Sequence, residues 1–309
     1  MTAWLLDSDP AVRWQVLRDL TGAPPEEVSA ERARVATEGW GAQLLALRDS
    51  DGQWAGGACF PADFRGDFST GQPWTSTLPT LELLCDLGVD PEDPALRQTV
   101  SLVQQHCRWE HAGQPFFAGE VEPCINGRTV RIGAELGASV DGIVERLLTE
   151  QLADGGWNCE AEFGSVRSSF ASTLSVVEGL LAHERATGGS AEVAAARRRA
   201  EEYLLERQLF RRLSTGAVVD DGYLQFAFPT YWHYDVLRAL DHLRAAGGVP
   251  DARVAEAVDL VRSKRGPDGR WLLDHLHPGA VHVRLEGAGS PSRWITLRAL
   301  RVLAWADSH

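Results

Sequence analysis

In PCINGRTVRIG (123–133), Cys124, Arg128 and Arg131 stand at i, i+4 and i+7, one face of a helix. A thiol at that place can ligate a soft metal, and arginine forks suit a carboxylate or a diphosphate. Arg238 and Arg298 take equivalent places on two other helices, which also fits a structural role in bonding the carbonyls of a neighbouring repeat. A second cysteine, Cys159, lies in QLADGGWNCE (151–160), directly behind a tight Asp-Gly turn. The other cysteines are 59, 85 and 107, an odd total with no disulfide framework, so a reduced cytoplasmic protein is expected. The aromatics Phe226, Phe228, Tyr231, Trp232 and Tyr234 cluster in one stretch, suited either to core packing or to a cavity that stabilises cations. Asp235, at the start of the following helix, is either an acid or a carboxylate that complements the helix dipole. Tyr234 and Asp235 are thus the candidate catalytic residues, and Trp232, Arg128, Arg131 and Arg238 the candidate ligand-binding ones. The alternating histidines of DHLHPGAVH (274–282) read as a solvated loop or a metal site.

The 43 acidic and 30 basic residues leave a formal charge of −13, against general binding to nucleic acid or anionic membranes. No uncharged apolar run reaches the length of a membrane span, and MTAWLLDSDP has neither the basic nor the apolar region of a signal peptide.

The elements that position these residues repeat along the chain. SDGQWAGG (50–57), ADGGWNCE (153–160) and GPDGRWLLD (266–274) each carry Asp-Gly-x-Trp, with HAGQPFFAGE (111–120) and STGAVVDDGY (214–223) as degenerate copies. Ser76-Thr77-Leu78 with Glu82 matches Ser172-Thr173-Leu174 with Glu178. Apolar helices are expected near 9–20, 75–87, 124–137, 169–183, 232–245 and 292–305. Amphipathic ones are expected at 29–48, 93–108, 139–152, 189–207 and 251–263, with no strands. Alternation of buried and half-exposed helices describes two concentric layers, a single domain over 1–309 closed from about six hairpins. Each turn tryptophan is expected to pack between helices and to donate its indole N–H to a nearby carbonyl.

The Asp-Gly-x-Trp repeats resemble those of squalene–hopene and oxidosqualene cyclases, and the glycine-aromatic repeats of protein prenyltransferase β subunits. That resemblance implies an all-α (α/α)6 toroid with an isoprenoid-like, apolar substrate in its central cavity. It covers nearly the whole chain but rests on motifs of architecture. The Asp-x-Asp-Asp acid of the hopene cyclases is absent, because Val218-Val219 precede Asp220-Asp221, and so is an Asp-Asp-x-x-Asp signature. The β subunits hold one zinc, and TYWHYDVLRAL (230–240) resembles their histidine-bearing helix start, which points to His233. Cys124, Cys159 and His233 are therefore the expected zinc ligands, two thiolates and an imidazole with an open fourth position. The implied function is a prenyltransferase- or cyclase-like enzyme. The alternative is a non-catalytic module that uses the same mouth to bind a peptide or protein partner.

Overall fold

The computed structural model describes residues 1–308, and every regular element among them is helical apart from isolated β-bridges. The all-α class expected from the sequence is the class found. No helix among the described residues is long and apolar enough to cross a membrane. The chain divides into two compact units: residues 1–121, 132–140 and 277–285, and residues 122–131, 141–276 and 286 onward.

The first unit contains α1 (Thr2–Leu6), α2 (Pro10–Val16), α3 (Pro25–Ala33), α4 (Gly39–Ala46), α5 (Thr77–Leu87) and α6 (Pro94–His106). Helix α5 is buried on every side from Thr77 to Leu84, whereas α6 buries only Leu96, Thr99, Val100 and Val103. A helix that is apolar all round must lie inside, and one with an i, i+3, i+4, i+7 stripe lies half outside. The amphipathic stretch 29–48 is not one helix. It breaks between α3 and α4, where Asp9 reaches over to accept the Trp40 N–H at 2.8 Å.

The second unit contains the first turns of α7 (Pro123–Leu136), then α8 (Asp141–Glu150), α9 (Phe170–Thr187) and α10 (Ala191–Glu206). It continues with α11 (Val236–Ala246), α12 (Ala255–Ser263) and α13 (Arg293–Asp307). The same contrast recurs: α9 is buried almost throughout, while α8 buries Ile143, Val144 and Leu147, and α12 buries Ala257, Val258 and Val261. Short polar side chains start these helices. Ser169, Ser190, Asp235 and Ser292 each accept the N–H of the residue three further on, which satisfies one of the otherwise unpaired first-turn donors.

The three Asp-Gly-x-Trp turns are the same device. Each tryptophan is fully buried, and its indole N–H donates to the carbonyl ten residues earlier: Trp54 to Leu44, Trp157 to Leu147 and Trp271 to Val261, at 2.7–2.8 Å. Each tryptophan's backbone N–H donates to a threonine at the next buried helix, Thr77, Thr173 or Thr296, at 3.0–3.3 Å. Gly52, Gly155 and Gly269 take φ of 89°, 99° and 82°, the left-handed region that a side chain resists. The two stretches read as degenerate copies differ from these and match each other. Arg108 pairs with Pro115, and Arg211 with Val218, in antiparallel bridges.

Candidate functional site

Helices α7 and α9 touch backbone to backbone. A Cβ on Gly127 would lie 2.5 Å from the Ser175 carbonyl oxygen, and one on Gly179 would lie 2.2 Å from the Gly127 oxygen. This contact sets Cys124, one turn before Gly127, beside the first turn of α9. From the other side comes Cys159, which opens a short 3-10 turn, Cys159–Phe163. Asn158 fixes that turn. Its side chain accepts the Glu160 N–H at 2.9 Å and donates to the Arg167 carbonyl at 2.7 Å and the Ser165 hydroxyl at 3.1 Å.

The two sulfurs meet at 2.9 Å. The Ser172 hydroxyl lies 3.3 Å from Cys159 Sγ, and Glu122 Oε2 lies 3.5 Å from Cys124 Sγ. Ligand atoms of Glu122, Cys124 and Cys159 all fall within 4.8 Å of one another. The two thiols push each other's proton affinities apart. The Cys159 hydrogen bond raises Cys124 well above the usual thiol range, and burial and the charges of Cys159 and Glu122 add to this while Arg128 opposes it. Cys159 is lowered, first by the bond from Cys124 and then by Ser172, against the effect of burial. One thiolate forms more easily here than in water, and the second proton is held.

His233 is not part of this group. It is buried, its Nε2 lies 3.0 Å from the Gln225 carbonyl oxygen, and its ring stacks on His275 at 4.8 Å between centroids. Burial, with the charge of His233 as the second cause, lowers the pKa of His275. His277 packs against Trp74 at 5.1 Å, and His282 Nε2 lies 2.8 Å from the Thr75 carbonyl oxygen.

Asp235 is 1% exposed and caps α11, accepting the N–H groups of Arg238 at 2.8 Å and Ala227 at 3.2 Å. Burial raises its pKa, opposed mainly by the Arg238 N–H. Tyr234 is buried and donates its hydroxyl to the Leu209 carbonyl at 2.5 Å, and burial holds its pKa well above the phenol range. Arg238 grips Glu178 with two bonds of 3.0 and 2.5 Å and donates to the carbonyls of His233 and Tyr231. Those last two bonds hold the chain in a turn. This is why α11 begins at Val236 rather than near 232. Arg128 is buried, Arg131 is half-buried, and Trp232 is 49% exposed.

No protein-family model and no curated protein matches the chain. Among solved structures it is similar to the type II terpene cyclase MstE from Scytonema in an apo form, at 16% identity over 90% of this chain and 97% of that one, with a TM-score of 0.31. It is also similar to the same cyclase in complex with geranylgeranyl dihydroxybenzoate, at 15% identity, the same coverage and the same TM-score.

The sequence reading missed Glu122 and Ser172. Glu122 carried a local signal, two residues before Cys124 at a helix start. Ser172 carried only its place in the Ser-Thr-Leu repeat.

Carboxylates around this region, two of them half-buried, give a pH prediction. Burial pushes Glu178 up, but Arg238, with Arg131 and His242, outweighs it and holds Glu178 below the usual range. Burial also pushes Glu201 up, and His242 and Arg197 outweigh it. A folded pKa below the unfolded value, about 4.3 for Glu, gives stability that is complete above that value and is lost as pH falls through the folded pKa. Asp235, raised in the fold, has the opposite sign: its contribution is complete at low pH and is lost as pH rises. The melting temperature should therefore fall on acidification below about pH 4. Glu178→Gln, less stable at neutral pH, should lose less over the same interval. An equally steep acid loss in that variant would remove Glu178 from the account.

Proposed function

We propose that this chain is an isoprenoid-acting enzyme of the terpenoid cyclase/prenyltransferase kind, with zinc held by Glu122, Cys124 and Cys159. The observation that carries the proposal is the convergence of two thiols and a carboxylate at the start of α7. The donor set suits zinc: two sulfurs and one oxygen leave one position open, the pattern of catalytic sites. Two sulfurs each about 2.3 Å from a tetrahedral ion stand about 3.8 Å apart, so the thiols need to spread by about 0.9 Å from their present 2.9 Å. Side-chain rotation alone can give that. Bound zinc would supply Lewis-acid chemistry, lowering the pKa of a coordinated water or substrate thiol.

The chain's own residues have definable parts. Ser172 orients Cys159 through its hydroxyl, and Asn158 fixes the turn that carries it. Arg128 offsets the negative charge that deprotonated thiols bring to a half-buried place. Arg128 and Arg131 supply the positive charge for the anionic end of a substrate. Arg238 is assigned to Glu178 and the Tyr231–His233 turn instead. The apolar substrate class rests on the sequence repeats and their resemblance.

A second reading has one observation in its favour. Phe163 and Val166, 81% and 78% exposed, sit in the segment between Cys159 and α9, as a docking surface for a peptide or protein would. Untagged protein should carry close to one equivalent of zinc. Cys124→Ala and Cys159→Ala should lose it, and His233→Ala should keep it. Release of pyrophosphate from prenyl diphosphates that disappears in both cysteine variants supports the enzyme. Zinc without turnover supports the docking module, and full zinc retention in both cysteine variants overturns the metal site.

A further inference from the structure

The sulfurs of Cys124 and Cys159, at 2.9 Å, are about 0.9 Å farther apart than the ~2.05 Å of a disulfide bond. Their neighbourhood is already set. The Gly127–Gly179 contact seats the start of α7 on α9, and Asn158 locks the turn that carries Cys159. Both cysteines are free and half-buried, so a small oxidant can reach them. Cys107 differs: it is fully buried, and burial pushes its thiol up to about 12, so it is a poor nucleophile.

We infer that Cys124 and Cys159 form a reversible dithiol–disulfide pair, whose oxidation ties the Cys159–Phe163 turn to the start of α7. The oxidant class is a low-molecular-weight disulfide. One protein thiolate attacks it, forming a mixed disulfide and releasing one small thiol. The second protein thiolate attacks the protein-side sulfur, forming the internal bond and releasing the second small thiol. The protein loses two electrons and two protons, and both pass to the small disulfide. The inference goes beyond the proposed function, because it stands on the sulfur geometry and requires neither zinc nor a prenyl substrate. It does bear on that site: a disulfide leaves no thiolate to hold a cation.

The test uses the full chain, stripped with chelator and equilibrated in mixtures of reduced and oxidised glutathione. Free thiols are then trapped with N-ethylmaleimide and the digest is mapped by mass spectrometry. The expected product is a Cys124–Cys159 cross-link, a loss of about 2 Da, that dithiothreitol reverses. In Cys124→Ser, Cys159 should instead keep a glutathione adduct. Wild-type protein that retains two free thiols, or carries adducts without the internal bond, overturns the inference. A parallel arm with one equivalent of zinc separates the two proposals. Slower cross-linking supports both. An unchanged rate counts against zinc and leaves the disulfide standing, and no cross-link in stripped protein removes the disulfide and leaves zinc standing.

Discussion

Trp157→Ala should lower stability by about 3–5 kcal/mol, a fall in melting temperature on the order of 10 °C. The indole is fully buried, so its removal loses the transfer free energy of a large ring and leaves a cavity. It also leaves the Leu147 carbonyl without the indole N–H that it accepts at 2.8 Å. Trp157→Phe separates the two terms. It keeps most of the ring and loses the bond, so it should cost less, about 1–3 kcal/mol. Trp54→Ala and Trp271→Ala should behave alike, because both have the same burial and the same bond ten residues back. Phe163→Ala is the control. At 81% exposed it should shift stability by about 0.5 kcal/mol or less. Equal effects at 157 and 163 in denaturant melts would refute the account of the turn.

The Glu178–Arg238 pair carries the second large effect. Arg238→Met should cost about 3–5 kcal/mol, because the guanidinium is 4% exposed at its side chain and Glu178 would keep a mostly buried charge without its partner. The same guanidinium holds the His233 and Tyr231 carbonyls, so its loss also frees the turn before α11. Glu178→Leu combined with Arg238→Met should be more stable than Arg238→Met alone, since removing both charges removes the unpaired one. Chemical denaturation of the two single variants and the double variant measures this coupling. Additive losses would mean that the pair is a bystander and the carbonyl bonds do the holding. A further check is local: proteolysis or hydrogen exchange across 228–236 should accelerate in Arg238→Met and not in Glu178→Gln.

Much of this molecule was legible in short stretches of chain. Asp-Gly-x-Trp defines a turn because its parts act locally: a glycine that tolerates positive φ, and an indole whose reach selects a carbonyl ten residues back. Ser169, Ser190, Asp235 and Ser292 mark helix starts because a short polar side chain satisfies an N–H only three residues away. The burial contrast between α5 or α9 and α6, α8 or α12 follows from apolar periodicity. The boundaries that failed have long-range causes. Asp9 caps Trp40 from 31 residues away and divides 29–48. Arg238, anchored by Glu178 60 residues earlier, holds the turn that delays α11 to Val236.

The site divides along the same line. The sequence by itself determined that Cys159 follows a structural turn and that Cys124 opens a buried helix, because both facts lie within a few residues of chain. Only the tertiary structure decided what surrounds them. Gly127 and Gly179 bring α7 and α9 into backbone contact, and this places Cys124, Cys159 and Ser172 together while Glu122 joins from the chain just before α7. His233 faces the Gln225 carbonyl eight residues back, and only the fold stacks its ring on His275. A side chain's chemical type is written in the sequence, but a decisive neighbour can come from a segment 35 residues away, as Cys124 does for Cys159, and such pairs are fixed by how the helices pack.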